Sequence, residues 1–291
     1  MLKTFLKPIR FIQKKIALRH KEKLKNIIEQ KKFEPLQSTP KKSPLFIVTL
    51  TSYGKRTEDT APYAIWSLFE QNAKPDKIIL WLDKDNWNLN NIPNLLKTEI
   101  EMGLEIKFCE DLKSYKKLNF ALQEFPNDIL ITVDDDAYYP RDWLEKLLQT
   151  HRENPQKICC HRAHIIKKGL PYNKWKWRAI EKDDAELLFP TGIGGVLYPP
   201  HSLDLTYLSE MMKLAPQADD IAYWAMAKLK GTKHALVPNG YFEFNLVNGA
   251  DEEDSLMAVN RRQGKNDSQF NAVVGKFPFT LQSLFCLPFY D

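Results

Sequence analysis

The feature that most restricts the fold of this chain is a regular alternation of strand-like and helical hydrophobic patterns. Strand-like runs occupy residues 45–51, 77–83, 104–108 and 128–133, with helical patterns between them near 61–72, 91–102 and 115–124. Parallel strands need crossover connections, usually helices, so this order predicts an α/β fold with a mainly parallel central sheet and helices on both faces. With 291 residues and 43% hydrophobic content, the chain can bury a full core.

The chain is predicted to divide into a basic N-terminal arm and one large domain. Prolines at positions 35, 40 and 44, with serine, threonine and lysine among them, are typical of a linker. After residue 150 the alternation becomes irregular, with helical patterns at 203–213 and 219–230. The predicted boundaries are an arm and linker at 1–43 and a domain at 44–291, whose halves are 44–140 and 141–291.

The arm holds 13 Lys and Arg against 3 Asp and Glu in residues 1–42, whereas the remainder of the chain holds 29 against 34. Its apolar residues recur at helical spacing between basic ones, at Leu2, Phe5, Leu6, Ile9, Ile12 and Ile16. This pattern is typical of an amphipathic helix in a membrane interface, and a partner-binding helix is the alternative. We expect no nucleic-acid partner, because the body is net acidic.

The sequence carries no recognisable secretory or membrane-spanning signal. It has neither the apolar block of a signal peptide nor a run of about 18 apolar residues. We therefore expect a cytoplasmic location, peripheral on the inner face of the cytoplasmic membrane if the arm binds lipid. The cysteines lack Cys-x-x-Cys spacing and are expected to be reduced and mostly buried: Cys109, Cys159, Cys160 and Cys286.

Three adjacent carboxylates, Asp134, Asp135 and Asp136, directly follow the hydrophobic run at 129–133. Like charges at this spacing repel unless a cation or hydrogen-bond donors neutralise them. In an extended segment the first and third carboxylates point to the same side, and such hard oxygen ligands suit Mg²⁺ or Mn²⁺. A solvated turn is the alternative. An EF-hand calcium loop is excluded, because Tyr139 stands where that loop needs glycine.

Five segments in a fixed order carry a family resemblance: "TLTSYGKR", "KPDKIILWLD", "ITVDDDAYYPRDWLEKL", "GIGGVLYPP" and "DDIAYWAMAKLKG". Together they resemble bacterial capsular polysaccharide and lipopolysaccharide glycosyltransferases of the GT-A fold, similar to glycosyltransferase family 2. The similarity covers roughly residues 45–240. It implies a Rossmann-like nucleotide-diphospho-sugar transferase fold and a nucleotide-sugar donor, with a UDP-sugar as the first expectation.

The resemblance also implies where the donor binds. Asp136 would hold a Mn²⁺ or Mg²⁺ ion that bridges the two phosphates of the donor, Asp134 would bind the ribose or the metal, and His234 is the candidate for a further metal ligand. The loop after the first strand would border the nucleotide, with Thr51, Ser52, Tyr53 and Arg56, and Asp83 would meet the base. The other expected donor contacts are a lysine pair, the middle of the triplet and the glycine-rich segment: Lys116, Lys117, Asp135, Gly194 and Gly195.

The expected catalytic base comes from the acidic pair at the start of the helical pattern at 219–230. If the resemblance holds there, Asp220 is the first candidate and Asp219 the second, and a base facing the donor implies inversion at the anomeric carbon. The alternative is that both carboxylates only favour the start of a helix. A segment that contains Arg261, Arg262 and Lys265 is a candidate mobile loop over the diphosphate, or a solvated run of charges.

The leading interpretation is a metal-dependent glycosyltransferase that acts on a glycan or a lipid-linked saccharide acceptor in bacterial surface polysaccharide synthesis. A sugar nucleotidyltransferase is an alternative, but a glycine-rich phosphate loop is expected after its first strand, and "TSYGKR" has one glycine. A non-catalytic module that binds carbohydrate or nucleic acid through the arm and Trp175 and Trp177 is the third hypothesis.

Overall fold

The computed structural model describes residues 22–23, 25–30, 36, 44–247 and 264–277. The strands are β1 (Phe46–Thr51), β2 (Lys77–Asp83), β3 (Leu104–Cys109), β4 (Ile129–Thr132), β5 (Ala137–Tyr138), β6 (Ile158–Cys160), β7 (Ala163–Ile165), β8 (Leu188–Pro190), β9 (Val196–Tyr198), β10 (His234–Leu236) and β11 (Asn245–Leu246). The helices are α1 (Arg56–Asp59), α2 (Ala61–Phe69), α3 (Asn94–Glu101), α4 (Lys116–Glu124), α5 (Trp143–Glu153), α6 (Leu208–Leu214), α7 (Asp219–Lys230) and α8 (Lys265–Lys276).

A seven-stranded sheet in the order β10-β6-β9-β4-β1-β2-β3 organises the molecule. The pairs β1–β2, β1–β4, β2–β3 and β6–β10 are parallel, and β9 runs antiparallel to both β4 and β6. Two small antiparallel ladders, β5–β11 and β7–β8, lie beside it. The predicted α/β fold with a mainly parallel sheet is thus confirmed, and β4 carries the acidic triplet at its carboxyl end.

Apolar cores cover both faces of this sheet. Alternate residues of β1 face opposite sides, so Ile47 belongs to one core and Val48 and Leu50 to the other. Helices α2, α3 and α5 cover the second face, while α4, α7 and α8 cover the first. Burial on both sides explains why β1, β2 and β4 read as continuous hydrophobic runs.

Part of the predicted arm is packed against the domain. Ile28 is fully buried in the core under α2 and α3, and the Leu36 backbone N–H donates to the Met102 carbonyl at 2.9 Å. Residues before the predicted domain boundary at position 43 therefore pack in the folded domain together with those after it. The apolar positions from Leu2 to Ile16 lie outside the described residues, as do Arg261 and Arg262, whereas Lys265 begins α8.

Among the helices that the structure describes, none combines the length and hydrophobicity needed to span a bilayer. Three of the four cysteines fall in described segments, and all three are unbridged and buried, as expected: Cys109, Cys159 and Cys160. Their thiols fill core positions, and burial raises the pKa of Cys109 to about 11 and that of Cys159 to about 12. Cys286 lies outside the described part of the chain.

Candidate active site

The acidic triplet lies where β4 ends, between the loop after β1 and the start of α7. The backbone N–H of Val133 still donates to the Thr49 carbonyl at 3.2 Å, and that of Asp134 then leaves the sheet and donates to the Tyr139 hydroxyl at 2.9 Å. The side chains of Asp134 and Asp136 are 28% and 17% exposed, against 7% for Asp135. The first and third carboxylates are thus the more exposed ones, although Asp135 and Asp136 lie in a turn rather than in the expected extended segment, and both contact Arg56.

Arg56, at the start of α1, neutralises two members of the triplet. Its Nη2 lies 2.5 Å from Asp135 Oδ1 and 2.6 Å from Asp136 Oδ2. Burial alone would lower the pKa of Arg56, but these two carboxylates raise it, so the guanidinium stays charged. Arg56 therefore holds the loop after β1 against the triplet.

Asp135 is an internal structural anchor for the same loop. The Ser52 hydroxyl donates to Asp135 Oδ2 at 2.5 Å, across 83 positions of sequence. Burial raises the pKa of Asp135 to about 6, although the charge of Arg56 acts in the opposite direction. Burial also raises the pKa of Asp136, with the same opposing effect of Arg56. Keeping these carboxylates buried and close together therefore lowers the stability of the fold.

Lys117, near the start of α4, joins the triplet to the acidic pair of α7. Its Nζ lies 3.0 Å from Asp134 Oδ1 and 3.0 Å from Asp219 Oδ2. Burial opposes the charge on Lys117, yet the carboxylates of Asp134, Asp219 and Asp220 hold its pKa well above the ordinary value. This buried cation ties the two predicted halves of the domain together.

Asp220 is held by the glycine-rich segment. The Gly192 backbone N–H lies 3.1 Å from each of its carboxylate oxygens. Burial and the neighbouring Asp219 raise the pKa of Asp220 to about 7, against the effect of Lys117. A side chain at position 192 would crowd the cluster, since a Cβ there would lie 2.9 Å from Lys117 Nζ and 3.1 Å from Asp220 Oδ1. A larger residue at position 192 would therefore have to displace these side-chain ends.

A second buried cation lies at the end of β2. Lys116 Nζ donates to Asp111 Oδ1 at 2.7 Å and lies 4.0 Å from Asp83 Oδ2. The Asp83 carboxylate also accepts from the backbone N–H and side-chain amide of Asn86, at 3.0 and 2.6 Å. Asp83 and Lys116 are therefore neighbours at the carboxyl end of β2, and their expected role in the donor site stays a prediction.

Two other residues of the loop after β1, Thr51 and Tyr53, have different environments. The Thr51 hydroxyl donates to the Trp81 carbonyl at 2.8 Å, which pins the end of β1 to β2. Tyr53 is 43% exposed, with the Arg56 guanidinium carbon 5.4 Å from its ring centroid. Thr51 thus supports the loop, whereas Tyr53 presents an aromatic face to the cleft side of Arg56.

Two aromatic residues that the sequence analysis did not single out fix the glycine-rich segment beside the triplet. The Tyr139 hydroxyl lies 3.3 Å from the Ile193 carbonyl, and Trp143 Nε1–H donates to the Gly194 carbonyl at 2.8 Å. Gly195 adopts φ +79°, and a Cβ there would overlap the Trp143 ring. The aromatic residues that follow the triplet in the sequence were the signal that could have pointed to this role. The segment forms a 3-10 turn at Gly192–Gly194 before β9, rather than a continuous strand.

The structure places His234 away from the triplet. It lies on β10, separated from β4 by β6 and β9, and its buried side chain lines a small cavity together with Asp220. Burial lowers the pKa of His234 to about 3, so its imidazole is neutral. Two other histidines are also buried: burial lowers the pKa of His161 to about 4, and His164 contacts the Trp177 carbonyl.

The charges of the cluster fit a divalent cation that arrives with a diphosphate. Five carboxylates lie within 3.3 Å of Arg56, Lys117 or Gly192, whereas the cluster has two positive charges, those of Arg56 and Lys117. The carboxylates are those of Asp134, Asp135, Asp136, Asp219 and Asp220. Among the described residues, no group of three or more acidic, His or Cys side chains forms a complete metal cage. Mg²⁺ commonly binds through one or two carboxylates plus phosphate oxygens, and the partly exposed Asp134 and Asp136 suit that mode.

Comparison with known proteins assigns the family. The sequence profile described as Glycosyl transferase family 2 matches residues 47–203. Among curated proteins no sequence matches the chain. The solved structures to which the chain is similar include the following two. CMP:2-keto-3-deoxy-manno-octonic acid synthetase complexed with CTP has 13% identity, covers 76% of this chain and 98% of its own, and has a TM-score of 0.45. S. aureus TarS 1–349 in complex with UDP has 12% identity, covers 68% and 60%, and has a TM-score of 0.46.

The family match spans both the loop after β1 and the glycine-rich segment, so it includes the triplet, Arg56 and Lys117. The α/β architecture, with its mainly parallel seven-stranded sheet and flanking helices, is that of a GT-A enzyme. The matched region is more than half of the chain. The protein belongs to glycosyltransferase family 2.

Proposed function

We propose that this enzyme moves a sugar from a UDP-sugar to a hydroxyl group of a glycan or lipid-linked saccharide, with Mn²⁺ or Mg²⁺, in the synthesis of a bacterial surface polysaccharide. The observation that carries the proposal is the convergence of the triplet and the acidic pair on the buried Lys117. A group of carboxylates suited to a metal–diphosphate complex thereby adjoins a carboxylate whose pKa lies near 7. This combination suits transfer from a nucleotide sugar.

In this proposal Asp220 is the general base. Asp219 is bound by Lys117, whereas the Asp220 carboxylate accepts hydrogen bonds from the Gly192 N–H, and residue 220 is half-buried. A base with a pKa near the working pH transfers protons most effectively. Asp220 would take the acceptor hydroxyl proton as that oxygen bonds to the anomeric carbon and the bond to the diphosphate breaks, which gives inversion.

The donor would lie along the loop after β1. Asp136 and Asp134 would hold the cation, which would neutralise charge on the departing UDP. Arg56 and Ser52 keep Asp135 inside and so orient the triplet. Tyr53 offers an aromatic face for a base, and Asp83 a carboxylate that can accept a base N–H. Lys116 would hold Asp83 in place, while Gly194 and Gly195 let the backbone approach the sugar closely.

The N-terminal arm would bring this site to a membrane surface. Its excess of basic residues suits anionic lipid, and Ile28 and Leu36, in its second half, attach it to the domain. The acceptor would then be presented at the inner face of the cytoplasmic membrane.

A donor screen tests the proposal. The full chain is incubated with Mn²⁺, a membrane extract that contains lipid-linked saccharides, and UDP-glucose, UDP-galactose, their N-acetylated forms or GDP-mannose, and nucleotide release is measured. We expect UDP release from one UDP-sugar, abolished by a chelator. Pyrophosphate release from UTP with a sugar 1-phosphate would instead identify a nucleotidyltransferase, and sugar binding without turnover would identify a binding module.

A further inference from the structure

A small cavity adjoins Asp220. Its lining includes the Asp220 carboxylate, the His234 imidazole and the Trp224 indole, with Tyr198 and Tyr223 beside them. The cavity has a volume of about 10 Å³. A space of this size holds about one water molecule.

Two polar groups of the residues around the cavity lack a hydrogen-bond partner in the described part of the chain. His234 Nδ1 and Trp224 Nε1 are buried and make no hydrogen bond within the described part of the chain. Trp224 Nε1 can only donate, and a neutral imidazole nitrogen either donates or accepts. The Gly192 N–H donates to the Asp220 carboxylate and leaves further lone pairs of that carboxylate available. Buried polar groups are nearly always satisfied by protein or by ordered water.

We propose that one ordered water molecule fills this cavity and that His234, through it, holds the Asp220 carboxylate in its reactive orientation. The inference rests on the proposed role of Asp220 as the base. The water would accept from Trp224 Nε1–H, share a hydrogen bond with His234 Nδ1 and donate to Asp220. Asp220 is then fixed by both Gly192 and the water. His234 is a positioning residue in this arrangement, not a metal ligand.

The test pairs His234→Leu with His234→Asn, whose side-chain amide occupies nearly the place of Nδ1. Because a small misplacement of a reacting group is costly, we expect His234→Leu to lower kcat roughly 10- to 100-fold. KM for the donor and UDP affinity should not change. His234→Asn should restore most of kcat. The matched control is His151→Leu, which removes another buried His whose Nδ1 has no described partner, and it should leave kcat unchanged.

A crystal structure of the full chain provides an independent readout, since it shows the water whether or not a donor is known. Density for one water within hydrogen-bond distance of His234 and Asp220, with a loss of kcat in His234→Leu that His234→Asn rescues, supports the inference. An empty cavity, or equal kcat for His234→Leu and wild type, overturns it. If the wild type has no turnover on any donor, the proposed function itself fails, and the water is then judged from the density alone.

Discussion

Asp220→Asn is expected to lower kcat roughly 10²- to 10⁴-fold, the usual contribution of a positioned general base. UDP affinity should remain that of the wild type, because the metal and diphosphate ligands are untouched. Burial and Asp219 raise the pKa of Asp220 to about 7, and only its ionised form accepts a proton. The wild-type kcat should therefore rise with pH up to about 7 and level off above it, whereas the residual activity of Asp220→Asn should lack that step.

Two comparisons make this result specific. Asp184→Asn changes an exposed carboxylate that only caps a 3-10 turn, so it should leave kcat unchanged. Asp219→Asn removes one of the two carboxylates that contact Lys117 and should weaken activity less than Asp220→Asn. If Asp219→Asn is the inactive variant and Asp220→Asn is active, the two roles are exchanged. If both variants keep the wild-type kcat, neither residue is the base.

Arg56→Met is expected to reduce the free energy of unfolding by about 3–5 kcal/mol, because it leaves the Asp135 and Asp136 carboxylates confined without their cation. Urea unfolding at pH 8 measures the change. The matched control is Lys77→Met, which breaks a partly exposed ion pair with Glu105 and should cost at most about 1 kcal/mol. Equal stability of Arg56→Met and wild type would show that the triplet does not depend on Arg56.

The sign of the pH dependence adds a second test of this variant. The folded-state pKa of Asp135 is already raised to about 6, above the value of about 4 in an unfolded chain. Folded protein therefore binds the proton more tightly, and this group costs stability as pH rises from 4 through 6. Without Arg56 that cost grows, so the defect should be larger at pH 8 than at pH 5. Added Mn²⁺ should recover part of the lost stability if the triplet binds it.

The sequence was informative about the fold where one pattern dominated each segment. The run Lys77–Asp83 is a strand with the predicted bounds, and α7 covers Asp219–Lys230 as predicted, because strong periodicity and adjacent turn signals agree there. Helix α2 ends at Phe69, three residues before the predicted end. The glycine-rich segment gave only weak local signals, and its turn depends on contacts with Trp143 and Tyr139, which no local pattern contains.

The site was predictable in its residue types but not in its pairing of charges. The triplet suggested a bound cation, and the structure adds two resident ones, Arg56 and Lys117. These contacts join residues far apart in sequence, so they depend on the order of strands in the sheet rather than on any spacing. His234 shows the same limit: a lone histidine beside a strand does not reveal which face of the sheet it joins.

Calorimetric titration of UDP into the protein, with and without Mn²⁺, tests the central claim most directly, with Asp136→Asn as the comparison. The account predicts that Mn²⁺ strengthens UDP binding to the wild type and that Asp136→Asn removes this gain without unfolding the protein. Folded wild-type protein that fails to bind UDP, or binds it equally with and without Mn²⁺, would contradict a metal-dependent UDP-sugar transferase.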